Sequence, residues 1–306
     1  MSAAVITEPV CPDRLVSVHD AVMNWFDENG RPLPWRDPNC SPWGVYLSEV
    51  MSHQTPVARV EPVWRHWLNR WPEPAALAAE PSGEAVREWG RLGYPRRALR
   101  LHESAGVMVD HYDGQVPGTY EDLLALPGVG PYTAAAVAAF AFGQRTTVLD
   151  INIRRVQARL FRGMPLQDPS LTRYESTLAA QLVPEEANAS VRWNAAVMEL
   201  GALVCTARSP RCQVCPVRAE CAWVAQGCPA YDGPARRAQA WEGTDRQVRG
   251  RIVALLRAST APVDAEEIIS VWADTAQRER CLESLLVDGL VQRVGSQDHP
   301  AYQLPT

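Results

Sequence analysis

Four cysteines stand in the order Cys205-x6-Cys212-x2-Cys215-x5-Cys221. Four thiolates on one short segment are the ligand set of an iron–sulfur cluster or of a structural zinc ion. Structural zinc sites more often carry two Cys-x2-Cys pairs separated by a longer loop. Only one such pair is present, so the spacing favours a [4Fe-4S] cluster. Cys228 follows closely, and Cys11, Cys40 and Cys281 lie elsewhere; these four are spare thiols.

A second group of residues suits an anionic partner. Leu126-Pro127-Gly128-Val129-Gly130 precedes an Ala-rich helical stretch. Paired glycines at a helix start let backbone N–H groups approach an anion, and in an Arg-rich helical chain the natural anion is a DNA phosphate. A tight inter-helix turn has the same pattern. About twenty residues on, Leu149-Asp150-Ile151-Asn152 sets a carboxylate and an amide before a helix rich in Arg. Taken alone, Asp150 reads as an N-cap.

Composition removes several chemistries. All thirty basic Lys/Arg positions among the 306 residues are arginine, and lysine is absent. A lysine Schiff base, a pyridoxal-phosphate enzyme, a lysine-dependent phosphate loop and a Ser-Lys dyad are therefore excluded. The net charge is −5, but residues 205–257 hold nine Arg against four acids, and Arg91, Arg96, Arg97 and Arg100 form an acid-free cluster. Residues 258–306 are the reverse, with three Arg against eight acids. Local basic patches on an acidic chain fit an anionic partner met on one face. No apolar run reaches membrane-spanning length and no basic-then-apolar leader is present, which implies a cytoplasmic protein with no membrane partner.

The elements that position these groups are predominantly helical. Apolar residues at helical spacing predict helices over 13–29, 43–53, 57–70, 83–91, 94–110, 119–125, 151–160, 171–182 and 190–204, and the segment 126–143 reads as a Gly-rich turn opening an Ala-rich helix. No strict strand alternation occurs before residue 290, so the expected class is all-α. Residues 231–245 read as a Pro/Gly/Arg-rich linker. Beyond it, 246–257, 264–272 and 274–288 predict three short helices, and VQRV with AYQL predicts a hairpin. That order suggests a winged-helix-like module over 246–306, whose acidity favours a packing appendage over a nucleic-acid role.

Over residues 13–228 the chain resembles the helix-hairpin-helix DNA glycosylases that carry an iron–sulfur cluster. The resemblance rests on LPGVG, the following Asp150 and the cysteine spacing, in that order. It implies two helical domains: an iron–sulfur domain from 13–40 and 145–230, and a six-helix domain with the hairpin over 41–144. Strand-cleaving members hold a lysine two residues past the second hairpin glycine, where this chain has Tyr132. That substitution, with LPWR (33–36) and SEVMSHQT (48–55), resembles the MutY-type adenine glycosylases.

The resemblance implies a monofunctional enzyme of base excision repair that hydrolyses the N-glycosidic bond of adenine opposite 8-oxoguanine or guanine. Glu49 would protonate adenine N7 and Asp150 would face the sugar cation, with Asn152 and Tyr132 orienting them. Burial of Glu49 near Trp35 or Tyr46 would raise its pKa. Trp35 and Arg36 would belong to the base pocket. Gln54, Thr55 and the turn Leu92-Gly93-Tyr94 would wedge into the duplex, and Gly128 and Gly130 would meet a phosphate. The cluster would order residues 205–221 so that Arg208, Arg211 and Arg218 meet the backbone. The expected partner is double-stranded DNA with a mismatch, bound by a monomer. Ser52 and His53 replace the usual residues of the SEVMLQQT form, Ala195 replaces a Glu or Gln ten residues before the first cluster cysteine, and Pro95 follows LGY where Tyr is common. The MutT-like C-terminal domain is not expected. A related glycosylase acting on thymine, uracil or hypoxanthine, and a non-catalytic iron–sulfur DNA-binding protein, are the alternatives.

Overall fold

The computed structural model describes residues 10–233 and 241–306. Fifteen helices are assigned among them: α1 (Pro12–Asn29), α2 (Pro42–Ser52), α3 (Val57–Arg70), α4 (Pro74–Ala78), α5 (Ser82–Glu88), α6 (Arg96–His111), α7 (Tyr120–Ala125), α8 (Pro131–Phe142), α9 (Ile151–Arg162), α10 (Arg173–Leu182), α11 (Ala187–Leu203), α12 (Ala222–Ala225), α13 (Asp245–Ala258), α14 (Ala265–Ser270) and α15 (Thr275–Val287). Three short strands, β1 (Val263–Asp264), β2 (Gln292–Gly295) and β3 (Pro300–Gln303), lie near the C-terminus. None of the described helices is long and apolar enough to cross a membrane.

The chain divides into two units, one of residues 1–45, 118–124 and 129–234, the other of 46–117, 125–128 and 235–306. The first unit is built around α9 and α11. Its core holds Val18 and Val22 of α1, Ala135, Ala136 and Ala139 of α8, Ile153, Val156 and Leu160 of α9, and Trp193, Val197 and Leu200 of α11. Sequence reading assigned α8 to the 41–144 domain, whereas these alanines lie in the first core. The pattern could not say so: Thr133 through Ala139 are all buried, so α8 is apolar all round and has no single face to assign. Local signals end these helices. Thr172 and Glu175 form a capping box on α10, and Gly163 closes α9 in the left-handed conformation.

The second unit carries a tryptophan cluster. Trp67 meets Trp71 and Trp89 edge-on, at 4.8 and 5.5 Å between ring centroids. The indole N–H of Trp67 donates to the Glu88 carbonyl and that of Trp89 to the Gly93 carbonyl, so neither ring buries an unpaired donor. The C-terminal residues belong to the same unit rather than standing apart. They run α13-β1-α14-α15-β2-β3 with sheet order β1-β3-β2, all antiparallel. This is a winged-helix order, with one strand more than the expected hairpin. β1 was missed because two residues, Val263 and Asp264, are too few to display alternation; pairing with Tyr302 and Ala301 makes it a strand. The helices α4 and α12 were missed for the same reason, at five and four residues. Of the expected 231–245 linker, residues 234–240 lie outside the described residues.

Arginine anchors the C-terminal residues to their unit. Arg87 donates to the carbonyls of Arg257 and Ser259, and Arg257 donates to those of Val86 and Gly90. The Gly83 N–H donates to the Pro305 carbonyl at 2.7 Å, an approach a side chain at 83 would block, since its Cβ would stand 2.3 Å from that oxygen.

Candidate active site and iron–sulfur centre

Asp150 caps α9. One carboxylate oxygen accepts from the Ile153 N–H and the other from Asn152 Nδ2, each at 2.6 Å. Burial raises the carboxyl above the ordinary Asp value, although these hydrogen bonds and Arg155 oppose the rise. The capping and the charge-bearing readings are therefore one geometry, with both oxygens held in place before any ligand arrives. The chain of contacts continues. Arg155 donates to Asn152 Oδ1 at 2.8 Å, to the Gly201 carbonyl at 2.6 Å and to the Cys205 carbonyl at 2.7 Å. Gly201 has to be glycine here, because a Cβ would lie 2.7 Å from that of Asn152. Thus Asp150 is tied through Asn152 and Arg155 to the first residue of the cysteine loop.

All four cysteines of that loop line one pocket with Arg159, Arg218 and Trp223. Burial and the neighbouring sulfurs push the thiols of Cys212 and Cys215 up, the latter to about 11, and burial raises Cys221. The backbone N–H of Val217 points at Cys215, and those of Trp223 and Val224 at Cys221, each favouring thiolate. Arg159 donates to Cys205 Sγ at 3.3 Å while its guanidinium lies 4.7 Å over the Trp223 ring. Facing thiolates that repel one another, surrounded by donors aimed at sulfur, fit a cationic iron cluster that binds all four. Arg208, Arg211 and Arg218 are exposed on this loop, but the Arg211 guanidinium also holds the Leu203 carbonyl at 2.6 Å.

Arg36 faces inward. Its guanidinium meets Glu199 Oε2 at 2.8 Å and lies 5.2 Å over the Phe26 ring, and Arg31 takes both oxygens of the same carboxylate. Arg36 therefore braces the half-buried Trp35 segment, and its charge is spent on Glu199. Burial would raise the Glu199 carboxyl, but the two guanidiniums override it and hold it below the ordinary value. Its stability contribution is thus present above the usual Glu range and lost as pH falls through the lowered value. We expect Glu199→Gln to destabilise the protein by about 2 kcal/mol at pH 7, discounted from a fully buried pair because both arginines are partly exposed. Thermal melts at pH 7 and pH 4 test this; a deficit that does not shrink in acid removes the ion pair as its cause.

Glu49 lies on α2, only 8% exposed among Val45, Tyr46, Val50 and Met51, which are themselves buried. Two turns follow it. Gln54 is exposed with φ 52°, and Tyr94 is 45% exposed with φ 48°. A non-glycine residue in the left-handed region costs about 1 kcal/mol and persists only where surrounding contacts impose it. Arg97 imposes both. It donates to the carbonyls of Val50, Met51 and His53, to Thr55 Oγ1 at 3.0 Å and to the Gly93 carbonyl at 3.1 Å, stacked between Trp89 and Tyr94. Burial lowers Arg97 to about 10, and burial with Arg97 pushes His53 down to about 4, so the imidazole is neutral at pH 7. Sequence reading missed Arg97, since nothing in the spacing tells a carbonyl clamp from a surface cation. Leu92, expected to reach DNA, is 4% exposed and supports the turn from beneath; its carbonyl accepts from Thr55. Thr55 is likewise buried.

In the hairpin, Gly128 has φ 77°, and a Cβ there would press on Arg100 at 2.9 Å. Gly130 caps α8 and has open space where a Cβ would stand. Tyr132 is partly buried against the first core, and Ala195 is half-buried on α11.

A model of the HhH-GPD superfamily of base excision DNA repair proteins matches residues 47–181, and one of the iron-sulfur binding domain of endonuclease III matches 205–221. The adenine DNA glycosylase of Mycolicibacterium smegmatis is 50% identical over 273 residues, spanning 89% of this chain and 92% of that one. A thermostable thymine-DNA glycosylase structure superposes with TM-score 0.62 at 25% identity, over 70% of this chain and 98% of that one. A non-covalent endonuclease III–DNA complex gives TM-score 0.61 at 22% identity, over 71% and 98%. The match to the iron-sulfur binding domain over 205–221 makes the protein a [4Fe-4S] protein, and the four-thiol pocket lies in that matched segment. By its near full-length likeness, its hairpin and its cluster loop, the chain belongs to the adenine DNA glycosylase family of helix-hairpin-helix base excision repair proteins.

Proposed function

We propose that the protein removes adenine from duplex DNA where it faces 8-oxoguanine or guanine, acting as a monomer and without cleaving the strand. The 50% identity to an adenine DNA glycosylase over nearly the whole of both chains carries this reading. The buried carboxyl of Glu49 and the half-buried one of Asp150 support it chemically.

The N9–C1′ bond breaks readily only when the purine is protonated and the sugar cation is stabilised. Glu49 donates a proton to adenine N7, so the electron pair of the broken bond leaves on a neutral base. Asp150 stabilises the positive charge left at C1′, in an orientation set by Asn152 and the Ile153 N–H. Water adds to C1′, its proton passing to the Glu49 carboxylate, which returns the acid to its starting form. The two-carboxylate logic parallels that of glycoside hydrolysis. Cys205, Cys212, Cys215 and Cys221 would hold the cluster, which would order the 205–221 loop. Tyr132, partly buried by the first core, offers no amine, and no lysine exists elsewhere. A covalent imine with the abasic sugar is therefore not formed efficiently.

The experiment is a panel of duplexes carrying A:8-oxoG, A:G, G:T, U:G and hypoxanthine, read before and after alkali and with borohydride. Adenine release, with nicking only after alkali and no borohydride adduct, is the expected result. Preferential loss of thymine or uracil overturns the substrate, and an efficient adduct overturns the monofunctional chemistry.

A further inference from the structure

Arg246, on the first turn of α13, lies 5.3 Å over the Tyr94 ring and 5.4 Å over that of Trp241. Both rings are substantially exposed, at 45% and 50%. Trp241 is held in place: Thr244 donates to its carbonyl, and the indole reaches over Gly250, one turn beyond Arg246 on the same helix. Gln277 of α15 donates to the Gly243 carbonyl, fixing the turn that carries the ring.

We propose that Trp241, Arg246 and Tyr94 form one DNA-binding surface, which takes an unstacked nucleotide of the strand opposite the excised adenine. The inference rests on the reading of this protein as a glycosylase that opens duplex DNA. An exposed ring–guanidinium–ring stack matches the chemistry of such a nucleotide: the Trp241 ring offers a stacking face to a base, Tyr94 flanks it, and the guanidinium meets its phosphate. Tyr94 sits in the turn whose backbone is held in the left-handed region, so this aromatic is presented outward at a conformational cost. A packing appendage needs no such exposed rings; the anchoring is already supplied by Arg87, Arg257 and the Gly83–Pro305 hydrogen bond.

The test measures binding of the cluster-loaded full chain to a duplex bearing a stable abasic analogue opposite 8-oxoguanine, across a salt series. Trp241→Ala and Arg246→Ala are each expected to weaken binding about 10-fold, and Arg246→Ala to reduce the salt slope by about one. Arg251, whose guanidinium lies 4.9 Å over Trp272, makes the same kind of contact from the same helix. Arg251→Ala is the control, expected to change affinity by less than about twofold. Unchanged affinity in both test variants, or an equal loss in the control, overturns the surface. A lowered melting temperature in Trp241→Ala passes the decision to the exposed Arg246. The binding arm needs no turnover, so wild-type protein that releases no adenine overturns the proposed activity while this surface is still decided by affinity.

Discussion

Glu49→Gln is expected to slow single-turnover adenine release by about 10³-fold while leaving mismatch-duplex affinity within about threefold. Glutamine keeps the volume and the hydrogen-bonding reach of the side chain on α2, so the surrounding Val45, Tyr46, Val50 and Met51 need not move. What it removes is the proton. The base must leave as a neutral species, and without a donor the departing adenine carries the full electron pair of the bond. A rapid-quench time course under excess enzyme separates release from binding. A variant retaining a tenth or more of the wild-type rate moves the proton donor elsewhere, and one that no longer binds DNA indicates that Glu49 shapes the surface instead.

Asp150→Asn is expected to divide stability from activity in opposite directions. Adenine release falls about 10³-fold, because an amide cannot stabilise a cation at C1′ and one lost preorganised electrostatic contact costs about 3–4 kcal/mol. Stability does not fall with it. Asparagine caps a helix as well as aspartate, so the hydrogen bond from the Ile153 N–H is retained. Burial raises the Asp150 carboxyl in the folded state. Its favourable contribution is complete below the unfolded Asp value and is lost as pH rises through the raised folded one. At pH 7 the wild type therefore carries the cost of a buried charge that the amide lacks. The variant is expected to melt about 2–4 °C higher at pH 7, with the advantage vanishing below about pH 4. Glu199 behaves in the opposite sense, since its carboxyl is lowered by Arg31 and Arg36. Its Gln variant loses stability at neutral pH, and the deficit narrows as pH falls toward the lowered Glu199 value. Melting curves for both variants across pH 4–8 provide the comparison, and an Asp150→Asn protein less stable than wild type at pH 7 sinks the argument.

Much of the fold was legible because its signals are local. The helices α1, α3, α6, α9 and α11 announce themselves by apolar spacing, and Pro131 and Gly143 mark the ends of α8. Short elements such as β1 and α4 carry too few residues to show a period. Leu92 and Tyr94 illustrate the harder limit. They are two residues apart in one turn, yet Leu92 enters the tryptophan-rich core while Tyr94 stays outside. Nothing in the tripeptide distinguishes them, because burial is decided by what packs above the turn.

By itself the sequence determined the spacing of the four cysteines, the presence of a carboxylate ahead of α9 and the absence of any lysine amine at position 132 or elsewhere. These follow from residue type and short spacing, which need no tertiary contact to be read. Only the tertiary structure decided what those residues are attached to. Arg155 reaches Cys205 across 50 residues, Glu199 gathers Arg31 across 168, and Arg246 meets Tyr94 from the far end of the chain. Such pairings depend on how helices pack, and packing is a property of shape summed over the whole core. Without a lysine, every one of these long-range cationic contacts is made by a guanidinium. Its planar fork can hold several carbonyls, as Arg97 and Arg155 each do within their own unit, or stack on rings, as Arg246 does, while keeping its charge.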